Sequence, residues 1–531
     1  MKTSEQRTQK QDKSIENKDL NLERENEVLK HKVEELEAKV NFYEEQFRMA
    51  THQKYGASSE KSDPEQLTAF NEAEKLSAQP SEEPEIETVL KKRSTKRSKG
   101  KKTYDDLPVE EIKYTLSEEE RICPNCDSSL HEMKTEVRKE LKIIPAQVKV
   151  VHHIRQVYAC RNCDANGETG TIITAPMPGP VLAGSMVSPS LLANIMEKKY
   201  DHAMPLYRQE RVFKNYGIDI SRQNMAGWVV KGANIWLSQI YERLHAYLKE
   251  EDIIHADESP LQVLDEKKNK KNYMWLYASA KAGVHPIYLY EYQPSRSQNH
   301  PQNFLSGWGG YLQTDGYAGY NGVKEAVRVG CLAHARRKYT DAIKALPEDA
   351  DIALTKSKEG LAFINRIYSL EKEFKEHSFE DRYEKRLEKT KNIFENYKAW
   401  LIEQKERTLP KSKLGQAITY SLKQWDNLTA FMLDGRIEVD NNRAERAIKP
   451  FVIGRKNYLF SKSPKGAQAS AITYSIIETA KAHGLKPFDY LQYLFEKLPN
   501  LDTTNPEDLD ALLPWADSLP DEISLNPNEK N

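Results

Sequence analysis

Three acidic residues lie in short motifs that could support phosphoryl transfer on nucleic acid. In the motifs HADES and LQTDGY, Asp257 and Asp315 stand where β-strands are predicted to end. The motif VDNNRAERAIKP places Glu445 on the first turns of a predicted helix that ends at Pro450. Carboxylates delivered by separate elements can bind two divalent metal ions about 3.5–4 Å apart. The three residues are therefore predicted metal ligands of one catalytic site.

Basic side chains are concentrated around the third motif, as expected for phosphate binding near a metal site. The residues expected to contact or position DNA are His334, Arg336, Arg337, Arg446, Lys449, Arg455 and Lys456. The alternative role for Glu445 is a helical ion pair with Lys449, four residues later. Glu258 and Asp440 are acidic neighbours whose loss is expected to be milder.

The region that contains the first two motifs has strand patterning. DIIHADESPLQVL, YMWLYASAKAG and HPIYLYEY predict three consecutive strands. A short helix (298–308), the strand GYLQTD, the segment GYAGYNGVKEA, the strand RVGCL and the helix AHARRKYTDAIKAL follow. This order is expected of a ribonuclease-H-like fold, with Asp257 on the first strand and Asp315 at the end of the fourth. We predict a ribonuclease-H-like mixed-sheet catalytic core over 251–475, with a helical insertion at 341–430.

Two CxxC pairs precede this core. Their cysteines are Cys123, Cys126, Cys160 and Cys163. Each pair aims two thiolates at one point, and two such pairs complete a tetrahedral zinc site. The gap between the pairs exceeds the usual span of about 15–20 residues, and residues 134–159 are predicted to form strands that return the second pair to the first. We predict structural Zn²⁺ in a domain spanning 104–175, with a redox dithiol as the alternative.

The region 186–250 is predicted to be helical. LYRQERVFKNYG has apolar residues at helical spacing and stops at Gly217, and Ser221 is suited to cap the next helix. Two helices joined by a short turn suggest a helix-turn-helix-like DNA reader, with Arg222 and Gln223 at the start of the reading helix. Packing of two core helices is the alternative.

The N-terminal segment 1–50 carries a heptad pattern. Its d positions hold Leu22, Leu29, Leu36 and Tyr43, and its a positions hold Asn26, Val33, Val40 and Phe47. Branched residues at a with leucine at d favour a parallel dimer, whose register a lone asparagine fixes. We predict a homodimer through this coiled coil, with one amphipathic helix packed on its own body as the alternative. Residues 51–103 predict a flexible linker whose basic end could neutralise phosphates or only solubilise the chain.

Composition narrows the classes of protein further. The 531 residues suggest several domains, and a net charge of −1 means that any DNA affinity must come from local basic patches. The hydrophilic start lacks the apolar stretch of a secretory signal, and no run approaches the roughly 18 apolar residues of a membrane span. We expect a soluble, cytoplasmic, multidomain α/β protein that does not associate with membranes.

Beyond these patterns, the chain resembles the transposases of the insertion sequence 66 family, from bacterial mobile elements, over nearly its whole length. The resemblance is carried by KYGASSEK, CPNC…CRNC, EKKYDHAMPLYRQE, HADES, LQTDGYAGYN, CLAHARRKY, DNNRAERAIKP, GRKNYLF and YSIIETAKAHGLKP. It implies a leucine-zipper-like segment, a zinc-binding domain, a helix-turn-helix region, a DDE core and a C-terminal module at 476–531. The acidic triad of the family falls on Asp257, Asp315 and Glu445.

Three positions depart from the residues common in the family: Ser259 replaces Thr, Asp127 replaces Gly, and Lys449 replaces Arg. Lys449 keeps the charge but loses the bidentate phosphate geometry of arginine, and no departure removes a catalytic carboxylate. The resemblance implies an enzyme, dependent on two Mg²⁺ or Mn²⁺ ions, that binds the terminal inverted repeats of its element. It would cleave this double-stranded DNA and join the ends to target DNA, assisted by accessory proteins of the same element. The alternatives are a nuclease of the same fold that does not join strands, and a non-catalytic zinc DNA-binding regulator.

Overall fold

The computed structural model describes residues 147–159, 172–265, 271–347 and 350–525, together with single positions between residues 26 and 117. The described a and d positions of the heptad are helical and exposed: Asn26, Leu29, Val33, Leu36, Val40 and Tyr43. The heptad residues Leu22 and Phe47, the four paired cysteines and the linker 51–103 lie outside the described residues. In the described part of the chain, no helix has both the length and the apolarity needed to cross a membrane.

The chain divides into two compact units, one formed by 1–54 with 150–531 and the other by 55–149. In the second unit, the described residues have no regular secondary structure. In the first unit, strand β1 (Val157–Ala159) pairs antiparallel with strand β2 (Ile172–Thr174). The prediction of strands throughout 134–159 is wrong for residues 147–156, because these residues are exposed and pair with no strand in the described part.

A five-stranded mixed sheet follows in the same unit. Its strands are β3 (Ile253–Leu261), β4 (Asn272–Ser279), β5 (Tyr288–Gln293), β6 (Tyr311–Gln313) and β7 (Val327–Val329). The spatial order is β5-β4-β3-β6-β7, with β3, β4 and β5 antiparallel and with β6 parallel to both β3 and β7. All five strands were predicted from their apolar and aromatic runs, which suit a sheet covered on both faces.

The predicted end of the first of these strands is wrong. Asp257 lies in the middle of β3, because the backbone continues to pair with β4 as far as Leu261 opposite Asn272. Asp315 follows β6 by two residues, as the sequence predicted. Asp257 is therefore held by ladder hydrogen bonds on both sides of its position, whereas Asp315 stands at the start of a loop.

Helices precede the sheet and cover it. They are α1 (Pro189–Tyr200), α2 (Leu206–Asn215), α3 (Arg222–Gly232), α4 (Ser238–Leu248), α5 (Asn299–Phe304), α6 (Leu332–Lys344), α7 (Lys356–Glu373), α8 (Phe379–Lys385), α9 (Lys391–Arg407), α10 (Lys413–Lys423), α11 (Trp425–Thr429), α12 (Asn442–Tyr458), α13 (Pro464–Ala482), α14 (Pro487–Lys497) and α15 (Pro506–Asp510). The described part of 341–430 contains helices and no strand, as the sequence predicted for this range.

Helix α12 is longer than predicted, since it passes through Pro450 and ends at Tyr458. Proline removes one helical hydrogen bond and usually breaks a helix. Packing outweighs this cost here: Phe451 and Gly454 are buried, and the Tyr290 hydroxyl donates to the carbonyl of Ala447 in the turn before the proline. The prediction that the helix ends at Pro450 is therefore wrong.

Successive residues of β3 contribute to two different cores. Ile254 packs in a core shared with α1, α12, α13 and α14, whereas Ile253 packs in a second core shared with α6, α7, α9 and α10. Full burial of such a side chain stabilises the fold by about 1.5–3 kcal/mol. Both faces of the sheet are thus covered, and the helical insertion forms part of one covering layer.

Candidate active site

Asp257 and Asp315 are carried by neighbouring parallel strands. His255 of β3 stands opposite Gln313 of β6, and each aspartate lies two residues further along its chain. This register places both aspartates at the same end of the paired strands, and the charge of Asp315 contributes to the raised pKa of Asp257. Asp315 Oδ1 accepts a hydrogen bond of 2.8 Å from the backbone N–H of Tyr317, which orients the carboxylate in the loop.

The electrostatics of Asp257 indicate that it lies close to several other carboxylates. Its pKa is raised from 3.8 to about 8, first by burial and then by the negative charges of Glu258, Asp315 and Glu445. The backbone N–H of Glu258, which donates to Asp257 Oδ1 at 2.9 Å, opposes this rise. Such a concentration of negative charge is unfavourable by itself, and a bound cation would relieve it.

Glu445 lies on the first turn of α12 and faces α6. Its Oε1 is 3.8 Å from His334 Nδ1, and its Oε2 is 3.7 Å from a guanidinium nitrogen of Arg337. Among the described residues, neither Glu445 Oε1 nor His334 Nδ1 has a hydrogen-bond partner, although both atoms are buried. Burial lowers the pKa of His334, which favours the neutral imidazole. Both atoms are therefore available to bind a cation.

The tightest group of potential metal ligands differs from the predicted triad. One ligand atom each of Cys331, His334 and Glu445 lies within 4.8 Å of the other two. No other three acidic, histidine or cysteine side chains form such a group in the described ranges. The ligand atoms of Asp257, Asp315 and Glu445 are therefore spread more widely than those of Cys331, His334 and Glu445.

Asn441 joins the elements that carry Asp257 and Glu445. Its side-chain Nδ2 donates to the carbonyl of Ala256 at 2.8 Å, and its Oδ1 lies 2.9 Å from Nδ1 of the buried His255. The positioning roles of Asn441 and His255 were not predicted from the sequence. A polar histidine inside the apolar run of a predicted buried strand was the signal that could have revealed this network.

Glu258 is occupied by other partners. Its carboxylate accepts a hydrogen bond of 2.7 Å from Arg296 Nε and another from the Tyr320 hydroxyl, and the Arg296 guanidinium stacks 3.6 Å from the Tyr317 ring. Glu258 still lies near the aspartates, since its charge raises the pKa of Asp257 and the charge of Asp315 raises that of Glu258. These contacts are consistent with the expectation that Glu258 is not a metal ligand.

The predicted DNA-contacting residues fall into separate groups. His334 and Arg337 lie beside Glu445, whereas Arg336 turns toward α7 and donates to Asn365 Oδ1 at 2.9 Å. Arg455 donates to the carbonyl of Pro260. Further predicted residues are exposed on α12 or at the start of α3: Arg446, Lys449, Lys456, Arg222 and Gln223. The predicted cap of α3 is confirmed, since Ser221 Oγ accepts from the backbone N–H of Asn224 at 3.2 Å.

Arg446 lines a basic cavity beside α12 whose lining residues do not include Glu445. The cavity has a volume of about 390 Å³ and is lined by Tyr288, Arg443, Arg446, Ala447, Glu478, Lys481 and Ala482. Lys481 is held by Asp201 at 2.7 Å and by Glu478 at 3.1 Å. Arg446 therefore stands apart from the basic residues that adjoin the carboxylates.

Four family models match the chain, and one of them covers more than half of it. The model of the transposase IS66 family matches residues 184–469, and the model of the IS66 C-terminal element matches residues 475–515. The zinc-finger binding domain of transposase IS66 matches residues 120–164, which include all four paired cysteines, and this indicates a zinc-binding domain. The model described as transposase C of IS166 homeodomain matches residues 43–112.

Three proteins of Sinorhizobium fredii are similar to most of the chain. The uncharacterized protein y4jD is 33% identical over 418 residues, which are 75% of this chain and 79% of the relative. The uncharacterized protein y4hP is 28% identical over 79% of this chain and 77% of its own length. The uncharacterized protein y4qI is 30% identical over 71% of this chain and 70% of its own length.

Proposed function

Because the chain belongs to the IS66 transposase family, we propose that it cleaves DNA at the ends of a bacterial insertion sequence and joins them to target DNA. The observation that carries this proposal is the proximity of three carboxylates from separate elements, since the charges of Asp315 and Glu445 both raise the pKa of Asp257. Such a set is suited to metal-dependent phosphoryl transfer.

The sheet supports a ribonuclease-H-like catalytic core. Three consecutive antiparallel strands are followed by two parallel strands, in the spatial order β5-β4-β3-β6-β7. In this arrangement the central strand β3 contributes Asp257, and the loop after its parallel neighbour β6 contributes Asp315. Helix α12 then supplies Glu445 from its first turn.

The residues at this site fit divalent magnesium or manganese. Hard oxygen ligands suit Mg²⁺, and the raised pKa of Asp257 and the unpartnered Oε1 of Glu445 are expected of carboxylates that a cation would stabilise. We assign Asp257, Asp315 and Glu445 as the residues that would hold two ions. When bound, such ions activate a water molecule for attack on phosphorus and stabilise the leaving oxygen.

The chain's own side chains would bind and orient the DNA. Arg337, with 58% of its side chain exposed beside Glu445, is placed to contact a phosphate near the scissile bond. Lys449 and Lys456 continue along exposed positions of α12 and would contact the DNA backbone further away. Attack by water breaks the phosphodiester at the element end and frees a 3′-hydroxyl. This hydroxyl then attacks a target phosphodiester and releases one target 3′-hydroxyl, so no protein nucleophile is required.

The remaining modules would recognise and pair the DNA ends. Zn²⁺ held by the four paired cysteines would stabilise the domain at 120–164. Arg222 and Gln223 at the exposed start of α3 would contact the terminal repeat. The exposed a and d residues of the N-terminal helix favour a homodimer, which would hold two ends together. Accessory proteins of the same element would join this complex.

The proposal is tested with a labelled duplex carrying the ends of the element, incubated with Mg²⁺ and a target plasmid. We expect cleavage and joining by the wild-type protein, and loss of both with retained end binding in Asp257→Asn, Asp315→Asn and Glu445→Gln. Asp341→Asn, an exposed aspartate on α6, is the matched control and should retain activity.

Each alternative outcome has a definite meaning. Cleavage without joining by the wild-type protein would favour a nuclease over a transposase. End binding without any cleavage would favour a DNA-binding regulator. Full activity in Asp257→Asn would show that the assigned carboxylates are not the catalytic ones.

A further inference from the structure

The catalytic carboxylate Glu445 adjoins two side chains that magnesium does not need. Cys331 stands at the N-cap of α6, and His334 follows it by three residues, which places both near Glu445 on α12. The Cys331 sulfur is fully buried and accepts a hydrogen bond of 3.2 Å from the backbone N–H of Asn441. Burial raises the pKa of the Cys331 thiol to about 12 and this donor opposes the rise, so the thiol keeps its proton until a cation displaces it.

The spacing of these ligand atoms is close to that of a tetrahedral metal site. Metal–nitrogen and metal–sulfur distances of about 2.0 and 2.3 Å imply separations of about 3.3–3.6 Å between neighbouring ligand atoms. His334 Nδ1 and Glu445 Oε1 are 3.8 Å apart, and all three ligand atoms lie within 4.8 Å. Movements of about an ångström would bring the three onto one ion.

Two buried atoms without hydrogen-bond partners also indicate a metal site. Within the described part of the chain, His334 Nδ1 and Glu445 Oε1 are buried without hydrogen bonds, which is unfavourable for polar atoms. A metal ion would satisfy both. Three protein ligands would leave a fourth position for water, as in zinc sites that are open to exchange.

We propose that Cys331, His334 and Glu445 form a second cation site, separate from the paired cysteines, that binds a borderline divalent ion such as Zn²⁺ or Co²⁺. Sulfur and imidazole ligands select these ions over Mg²⁺, which prefers oxygen. Binding releases the thiol proton to solvent. Because Glu445 cannot serve both sites fully, occupancy of this site would inhibit the Mg²⁺-dependent reaction. The inhibition rests on the proposed function, whereas the cation site does not.

The test is a titration of the full-length, zinc-loaded protein with Co²⁺, followed by sulfur-to-cobalt charge-transfer absorption. We compare the wild type with Cys331→Ser, His334→Ala, Asp257→Asn and, as a remote control, the exposed His377→Ala. Any exchange of Co²⁺ into the paired cysteines contributes equally to all five proteins. Circular dichroism confirms that each variant is folded.

We expect a charge-transfer band in the wild type, in Asp257→Asn and in His377→Ala that is absent from Cys331→Ser. Since loss of an outer-shell partner alone weakens metal binding about 10–100-fold, His334→Ala should weaken Co²⁺ binding by more than about tenfold. The same band in Cys331→Ser, or equal Co²⁺ affinity in His334→Ala, would overturn the proposal. The absorption needs no DNA, so it is independent of whether strand transfer is detected. Absence of cleavage with a normal cobalt band would count against the proposed function alone.

Discussion

The side-chain amide of Asn441 donates a hydrogen bond of 2.8 Å to the backbone carbonyl of Ala256, immediately before Asp257 on β3. The same residue precedes α12, so one side chain links the strand that carries Asp257 to the helix that carries Glu445. Its oxygen also bonds His255, which burial keeps neutral by lowering its pKa. The relative position of the two carboxylates therefore depends on Asn441.

Asn441→Ala is expected to impair catalysis more than DNA binding. The change leaves the Ala256 carbonyl and His255 Nδ1 without partners, which costs about 1–3 kcal/mol for each buried group. It also frees the start of α12 to move relative to β3. Strand-transfer rate, end-binding affinity and the midpoint of thermal unfolding would be measured together. Asn442→Ala is the control, because the Asn442 side chain lacks these contacts, and equal losses in both variants would contradict the positioning role.

Lysine substitutions in the heptad are expected to dissociate the proposed dimer. Leu29 and Leu36 are exposed along one face of the N-terminal helix, and a charged residue at a d position cannot be buried against a partner helix without a large cost. Leu29→Lys with Leu36→Lys should therefore change a dimer into a monomer in analytical ultracentrifugation. His31→Lys, at the outward f position, is the control and should remain dimeric. A monomeric wild type would instead support the single amphipathic helix.

Sequence patterns predicted the five strands of the sheet more reliably than they predicted where the neighbouring helices end. The five strands are rich in aromatic and β-branched residues, so local composition was sufficient to locate them. Helix α12 continues through Pro450 because of two tertiary contacts. Tyr290, which is distant in sequence, donates a hydrogen bond to this helix, and Gly454 has no side chain and so allows a close neighbour. Local rules about proline could not anticipate that packing.

In the candidate site, too, local motifs could be predicted from the sequence, whereas contacts between distant segments could not. Asp257, Asp315 and Glu445 could be proposed because each stands in a distinctive motif. The cluster of Cys331 with His334 could not, since its third member comes from a helix more than a hundred residues later and only the fold brings them together. Contacts made by side chains across elements are therefore the part that sequence reasoning missed.

The stability of the protein without added divalent cation is expected to fall as the pH rises toward 8. The pKa of Asp257 is raised from 3.8 to about 8 in the folded state, so the folded state binds more protons than the unfolded state between these values. The stability contributed by this group is present below pH 3.8 and is lost as the pH rises through the folded pKa. Thermal unfolding of wild type and Asp257→Asn would be compared across this interval.

Asp257→Asn should have a weaker pH dependence than the wild type over the same interval, because it lacks the titrating carboxyl. Addition of Mg²⁺ near pH 8 should raise the unfolding midpoint of the wild type more than that of the variant, since the ion binds the folded state. The exposed Asp341→Asn should behave as the wild type does. Parallel curves for wild type and Asp257→Asn would show that this carboxyl does not titrate abnormally.

Arg386→Ala is expected to destabilise the helical insertion severely. The guanidinium is fully buried, bonds both carboxylate oxygens of Glu371, and donates to the carbonyls of Phe431, Asp434 and Ile437. Arg386→Ala leaves the buried Glu371 with Arg382 alone, at 2.7 Å, and leaves three carbonyls without this donor, at a cost of about 1–3 kcal/mol for each buried group. Because the chain segment held by these carbonyls leads directly to Asn441 and α12, catalysis should weaken as well.

A neighbouring exposed ion pair provides the matched control for Arg386→Ala. Lys389 and Glu373 are 3.0 Å apart with about half of each side chain exposed, at 41% and 56%, and exposed pairs of this kind contribute little to stability. Denaturant unfolding of Arg386→Ala, Lys389→Ala and the double variant Arg386→Met/Glu371→Leu would separate charge from packing. The double variant should regain only the packing lost in Arg386→Ala, because it leaves Arg382 without Glu371 and the three carbonyls without their donor. Equal free energies of unfolding for Arg386→Ala and Lys389→Ala would mean that the buried pair does not hold the insertion together.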